Sequence, residues 1–266
     1  MVAPDASKST SDRRAQLQHA ALVPVLSIKE VTLGDHASVK NFSRGNDSPP
    51  WYAGGMRGSN CTLGFAVKTA TDEVRLMTAN HCGGAVGGNV RDGSGDLIGT
   101  LTVRNSEWDA QLIRPTNYSV LTGYGRVFHG NWYTTSSRAV IGSTYPIVND
   151  YLCVSGAFSG THCSLRVTST NFSGPSGQAG DGPRLVVTAA PGEYAGCSGD
   201  SGGPIIDPSG TASSHAAGMV IGPADPSINE LVTSNVRGGG AVCNRQITFF
   251  RHTAVAGHFN VNTITH

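Results

Sequence analysis

Charge is what this sequence has least of. Its 266 residues hold 19 Lys and Arg against 18 Asp and Glu, 14% in all with a formal net charge of +1, where an average soluble domain carries about 25%. With no cationic excess and no Lys/Arg cluster, nothing is available to track a phosphate backbone, and nucleic acid is not an expected partner. No stretch reaches the ~18 apolar residues of a membrane-spanning helix, so no membrane is expected either. Helical periodicity is almost missing, apart from a short C-terminal patch at 251–257. Disorder of the whole chain is excluded in turn, because 38% hydrophobic residues at near-zero net charge can fill a core.

Glycine is abundant, with 35 residues, and so are short β-rich runs. CTLGFAVK at 61–68, EVRLMT at 73–78, LIGTLTVR at 97–104, 109–114, RLVVT at 184–188, 216–221 and 247–250 have strand length and chemistry. Asp92-Gly93 and Asp181-Gly182 are turn signals between such runs. Many short strands at this spacing predict an all-β barrel or sandwich. Residues 1–50 differ: polar and charged at first, weakly helical over 12–21, then the breaker run Asn46-Asp-Ser-Pro-Pro50. They read as an N-terminal extension or pro-segment remnant.

Six cysteines, Cys61, Cys82, Cys153, Cys163, Cys197 and Cys243, form an even set in a chain of low charge. Three disulfides and an oxidising compartment are expected, with 15 pairings open to six cysteines; reduced, buried thiols are the alternative. No Cys-x-x-Cys or His-x-x-x-His spacing provides a tetrahedral metal site, and no zinc is expected. Residues 20–26 contain Pro24 and form no secretory apolar segment, so the expected export implies a leader already removed or, as the second choice, another export route.

Three segments carry chemistry: Thr78-Ala-Asn-His81-Cys82, Glu107-Trp-Asp109-Ala-Gln-Leu-Ile, and Gly196-Cys-Ser-Gly199-Asp-Ser201-Gly-Gly-Pro204. A serine hydroxyl is a poor nucleophile at neutral pH. Attack on an amide needs an imidazole to take its proton and a carboxylate to fix the imidazole tautomer. His81, Asp109 and Ser201 can fill these roles, and glycines beside Ser201 let the N–H groups of Gly199 and Ser201 turn toward one oxyanion. Asp92, Asp96 and Asp150 lie beside turn residues and read as turn chemistry. His129, His162, His215, His252 and His258 carry no motif, and the sequons at Asn41, Asn46, Asn60, Asn117 and Asn171 read as ordinary surface.

These segments, in this order, resemble the chymotrypsin-like serine peptidases, and the streptogrisin-like bacterial branch in particular. Cys61-Thr-Leu-Gly-Phe is similar to the opening strand of that branch, Cys153-Val-Ser-Gly-Ala-Phe-Ser-Gly-Thr-His-Cys163 to its short disulfide loop, and Ile247-Thr-Phe-Phe250 to its closing strand. The resemblance spans about residues 51–259. It implies a double β-barrel with a short C-terminal helix, with one barrel at 51–130 carrying His81 and Asp109 and a second at 131–266 carrying Ser201. It further implies pairing of neighbouring cysteines and a secreted, extracellular, monomeric endopeptidase acting on protein or peptide substrates, with no metal or organic cofactor. Substrate-binding positions fall at Ala195, Ser198, Ile221, Gly222, Pro223 and Thr248. Ala195 at the expected pocket floor holds no counter-charge, so a large apolar or aromatic P1 side chain is expected.

Three departures from the family stand out. Ile221 replaces a serine that usually binds the triad carboxylate, and Pro223 replaces a glycine, removing an N–H that pairs with an extended substrate. The loop at Ala157 lacks the arginine expected beside Asp200, leaving Arg138 and Arg166 as candidate partners. A protease-fold binding protein and an esterase with weak proteolysis are therefore the alternative readings.

Overall fold

A computed structural model divides the chain into two units, Met1–Val39 and Lys40–His266. It describes residues 43–116, 118, 121, 123–174 and 180–266, all in the second unit. The helical patch expected at 12–21 and the sequons Asn41 and Asn117 lie outside the described residues.

Seven strands come first: β1 Met56–Arg57, β2 Cys61–Thr62, β3 Ala66–Lys68, β4 Val74–Ala79, β5 Asn89–Arg91, β6 Leu97–Asn105 and β7 Ala110–Pro115. Next come β8 Arg126–Phe128, β9 Ser137–Ser143, β10 Tyr151–Gly156, β11 Gly160–Phe172, β12 Arg184–Thr188, β13 Gly196–Cys197, β14 Pro204–Ser209 and β15 Ser213–Pro223. The chain ends with β16 Asn229–Val232, β17 Ala241–Asn244, β18 Gln246–Arg251, helix α1 His252–His258 and β19 Asn262–Thr263.

Two barrels result. In the first, the order is β19-β3-β4-β7-β6-β5. Its ring closes where Gly58 N–H donates to the Arg91 carbonyl at 2.7 Å, β1 pairs with β2, and Gly64 N–H reaches the Met77 carbonyl at 2.7 Å. In the second, β14-β10-β11-β12-β18-β15 follow in sequence around the ring and β15 pairs back with β14. Strands β9 and β8 extend this sheet from β15, and β13-β17-β16 form a separate three-stranded wall.

The runs of β4 and β18 are buried on both faces because each face meets a core. In β4, Val74 and Leu76 enter the first barrel while Met77 points to the seam between barrels; in β18, Ile247 and Phe249 enter the second barrel while Phe250 points to the seam. The seam cluster also holds Val67, Leu112, Met219 and Ile221, so period-two alternation sorts side chains between two cores rather than between core and water. Residues 43–50, read from composition as the end of an extension, pack on this body, with Arg44, Asp47 and Ser48 buried and the Met56 N–H bound to the Arg44 carbonyl at 2.5 Å. The division placed at residue 130 cuts β8 from its partner β9, and β19 returns the C-terminal segment to the first barrel.

The six cysteines form three disulfides between sequence neighbours, Cys61–Cys82, Cys153–Cys163 and Cys197–Cys243. Among the described residues no helix is long and apolar enough to cross a membrane.

Candidate active site

The site lies at the seam. A single 3-10 turn, Asn80–Cys82, follows β4 and carries His81; Cys82 at its end is tied to β2 by the disulfide to Cys61. Arg104 braces this turn by donating to the Asn80 side chain at 2.6 Å and the Asn80 carbonyl at 3.0 Å.

Asp109 precedes β7 in a left-handed backbone conformation, φ +40°. Such strain is unusual for a residue other than glycine and persists only where the surroundings dictate it. Here it sets both the carbonyl and the carboxylate of Asp109 on the His81 turn. Asn80 N–H donates to the Asp109 carbonyl at 2.9 Å, His81 N–H donates to Oδ1 at 2.8 Å, and His81 Nδ1 lies 2.6 Å from Oδ2. The carboxylate is fully buried and the imidazole side chain is 35% exposed, so one edge of the ring faces the cleft. Arg184, also buried, sits near Asp109: burial lowers its pKa, and the charges of Asp109 and Asp181 act in the opposite direction.

Ser201 stands on the loop between β13 and β14. Its carbonyl accepts the Thr62 N–H at 2.9 Å, the Thr62 hydroxyl donates to the Gly199 carbonyl at 2.9 Å, and that hydroxyl accepts the Ala157 N–H at 3.0 Å. One threonine from the first barrel thus grips the Ser201 loop of the second. Gly199 has φ +98°, and a Cβ there would lie 2.3 Å from the Phe158 ring, so only glycine fits. Among the described residues the N–H groups of Gly199 and Ser201 meet no protein acceptor. The Ser201 hydroxyl donates to the Ile221 carbonyl at 3.3 Å.

That carbonyl is available because Ile221 is an extra residue in the β15–β18 ladder, between the pairs Val220–Phe249 and Gly222–Thr248. The Ile221 side chain is buried in the seam. Pro223 pairs in register with Ile247.

A cleft of about 500 Å³ opens beside His81 and Ser201. Ser198, Ile221, Gly222 and Pro223 line it. Ala195 and Thr248 are not in the lining: Ala195 is buried in the second barrel's core, and the Thr248 hydroxyl is turned to the Gly222 carbonyl at 3.1 Å. In their place the wall is made by Asn229, Val242, Asn244 and Ile247, most of them from the β16–β17 hairpin. The Asn244 amide holds that hairpin's approach, donating to the carbonyls of Asp225 at 2.8 Å and Ile228 at 2.6 Å.

Cys61, His81 and Cys82 offer ligand atoms within 4.8 Å of one another, but both sulfurs are committed to a disulfide and cannot act as thiolates. Asp92 and Asp150 hold turns, accepting the N–H of Ser94 at 2.9 Å and of Ile147 at 2.8 Å respectively.

No family model matches the sequence, and no curated protein does. Solved structures are similar. Thermobifida fusca protease A shares 23% identity over 81% of this chain and all of its own, at a TM-score of 0.55. A serine protease specific for glutamic acid, described as using a histidine triad in substrate binding, shares 21% over 80% of this chain and all of its own, at 0.55. Cellulomonas bogoriensis chymotrypsin shares 22% over 81% of this chain and all of its own, at 0.51. The two barrels, the seam between them and these likenesses together give the chain the fold of the bacterial chymotrypsin-like serine proteases.

Proposed function

We propose that the protein is a secreted serine endopeptidase that cleaves through an acyl-enzyme on Ser201. The observation that carries this reading is the meeting of the His81–Asp109 pair, 2.6 Å apart, with Ser201 in one cleft, beside two N–H groups that meet no protein acceptor among the described residues. Asp109 fixes the imidazole so that its Nδ1 carries the proton and its Nε2 is free to accept one. On substrate binding the Ser201 hydroxyl turns from the Ile221 carbonyl to that nitrogen and attacks the scissile carbonyl carbon. The oxyanion draws hydrogen bonds from Gly199 and Ser201. The imidazolium then returns its proton to the leaving amine, and water repeats the cycle on the ester. Three disulfides fit an extracytoplasmic setting.

The P1 preference is for large apolar or aromatic side chains, since Val220, Ile221, Val242 and Ile247 line the wall, no described Lys or Arg does, and the one acid beside it, Asp200, is buried and held by four protein donors. The histidine triad named for the glutamic-acid-specific neighbour has no match in this lining, whose one histidine is His81. Pro223, without an N–H, supports a second reading, an esterase with weak proteolysis.

A fluorophosphonate probe and a peptide library, each run beside Ser201→Ala, test the proposal. Labelling of the wild type with cleavage after apolar residues supports it. Labelling without peptide cleavage selects the esterase, cleavage mainly after Arg or Glu overturns the P1 assignment, and no labelling leaves the protease-fold binding protein.

A further inference from the structure

Asp200, next to the nucleophile, and Arg44, in the segment before the first barrel, are both fully buried charged side chains, at 0% exposure. Neither makes a direct ion pair among the described residues. Asp200 Oδ1 accepts the N–H groups of Phe158 at 3.1 Å and Ser159 at 3.2 Å, and Oδ2 accepts the Ser159 hydroxyl at 2.5 Å and the Cys197 N–H at 2.8 Å. Four donors surround one carboxylate, with no cation among them.

Arg44 is the mirror case. Nε donates to the Asn131 carbonyl at 3.1 Å, Nη1 to Gly54 at 3.0 Å, and Nη2 to Gly130 at 3.2 Å and the Thr161 hydroxyl at 2.9 Å. Four acceptors surround one guanidinium, with no carboxylate among them. The same short turn joins the two groups: Phe158 and Ser159 hold Asp200, and Thr161, two residues on, holds Arg44. At Gly156, where the turn begins, a Cβ would lie 2.0 Å from Asp200 Oδ1, so the turn is pressed onto the acid. An isolated buried charge is costly, and an opposite charge across one turn of low dielectric offsets part of that cost.

We propose that Arg44 is the cationic partner of Asp200 and, through the 156–161 turn, a positioning residue for the loop that carries Ser201. The catalytic consequence rests on the hydrolase reading above; the charge coupling does not.

The partners expected from sequence do not serve. Arg138 donates to the Gly210 carbonyl at 3.3 Å, and Arg166 is exposed on β11. Other titratable groups face the pair. His162, bonded to the Ser159 carbonyl at 2.9 Å, is pushed down by burial against the pull of Asp200 and Glu193, and His129 is pushed down by burial with Arg138 and Arg44 adding to it. Both are neutral at pH 7. Tyr194 is pushed up by burial, Asp200 and Glu193, and is also neutral. Arg237, half-buried over the Trp132 ring at 5.8 Å, is the competing cation. Burial draws the Arg44 guanidinium down to about 9 with Asp200 opposing, so it remains charged at neutral pH.

The test is a carbon-13 NMR titration of the Asp200 carboxyl, assigned with Asp200→Asn, in the full chain and in Arg44→Lys, Arg44→Met and Arg237→Gln, with the pH profile of fluorophosphonate labelling beside it. In Arg44→Met the Asp200 titration is expected to move up by about one pH unit or more, and the acid limb of labelling to move with it. Arg44→Lys and Arg237→Gln stay near wild type. An unmoved Asp200 in Arg44→Met overturns the proposal, and so does an equal shift in the Lys and Met variants or a shift confined to Arg237→Gln. If Arg44→Met does not fold, Arg44→Gln takes its place, because it removes the charge but keeps a donor for the carbonyls: a raised titration supports the coupling and an unmoved one overturns it. Failure of both variants to fold assigns Arg44 a purely structural role and overturns it too. A wild type that the probe does not label defeats the hydrolase reading, while the NMR titration still reads the coupling.

Discussion

At the scale of single residues, the site depends on backbone placed where side chains would not fit. Gly199 combines φ +98° with a Cβ position 2.3 Å from the Phe158 ring. Gly199→Ala must either turn its peptide or push the ring away, and both swing the 199 N–H off the oxyanion. Loss of one such donor costs about 10²–10³ in rate, whereas the strain on the fold is about 1–2 kcal/mol. Fluorophosphonate labelling of Gly199→Ala is therefore expected to slow by about 10²-fold or more with a fall of only a few degrees in melting temperature. Equal labelling rates in the two proteins would remove the oxyanion role from Gly199. Asp109→Asn attacks the same chemistry from the other side: it keeps the shape but favours the wrong imidazole tautomer, and a drop of about 10⁴ in kcat is expected. An unchanged kcat in steady-state ester hydrolysis would take Asp109 out of the mechanism.

At the scale of elements, the wall of the cleft belongs to a hairpin that sequence reading does not reveal. The motifs around His81, Asp109 and Ser201 are legible because fixed residue types at tight turns carry them. The strands β4, β7, β12, β15 and β18 are legible because their runs are apolar on both faces, and β6 because Leu, Ile, Val and Thr fill it. β11 is not: its 13 residues are rich in Ser and Thr, and its register slips twice, at Val167/Ser169 and Ser169/Phe172, so no clean alternation survives. The β16–β17 hairpin spans Asn229 to Asn244 around a Gly-rich turn, which reads as loop. Counting outward from Ser201 then reaches Ala195 and Thr248, while in space the hairpin supplies Val242 and Asn244. Its anchor is the Cys197–Cys243 bond, joining a register pair of β13 and β17 and closing 46 residues. Replacing both cysteines with alanine is expected to cost about 4 kcal/mol by loop-closure entropy. Because the hairpin walls the cleft and Ser201 does not stand on it, KM for apolar P1 substrates should rise more than kcat falls. A kcat loss at constant KM would show that the disulfide supports the nucleophile loop and not the pocket.

At the scale of the whole molecule, two buried groups far apart in sequence oppose each other in pH. His252, at the start of α1, is buried with Nε2 2.7 Å from the Thr263 hydroxyl; burial lowers its pKa from 6.5 to about 4. The unfolded chain protonates this imidazole first, so its contribution to stability is present above pH 6.5 and is lost as pH falls through about 4. Asp47, buried against the first barrel, goes the other way. Burial raises it from 3.8 to about 7, against the N–H groups of Tyr52 and Ser48 and with the help of Asp92. The unfolded chain then loses its proton first, so that contribution is present below pH 3.8 and is lost as pH rises through about 7. Between pH 4 and 6.5 the folded protein thus binds one proton fewer at His252 and one more at Asp47, and the two slopes cancel. Removing one exposes the other. In Asp47→Asn, stability from denaturant unfolding should climb with pH across this window by about 1.4 kcal/mol per unit. His252→Gln, which keeps a polar group for Thr263 but does not titrate, should show the reverse slope, and the double variant should be flat again at lower absolute stability. Parallel curves for the wild type and Asp47→Asn would mean that Asp47 is ionised in the folded protein throughout, leaving the segment at 43–50 held by its hydrogen bonds and Arg44 alone.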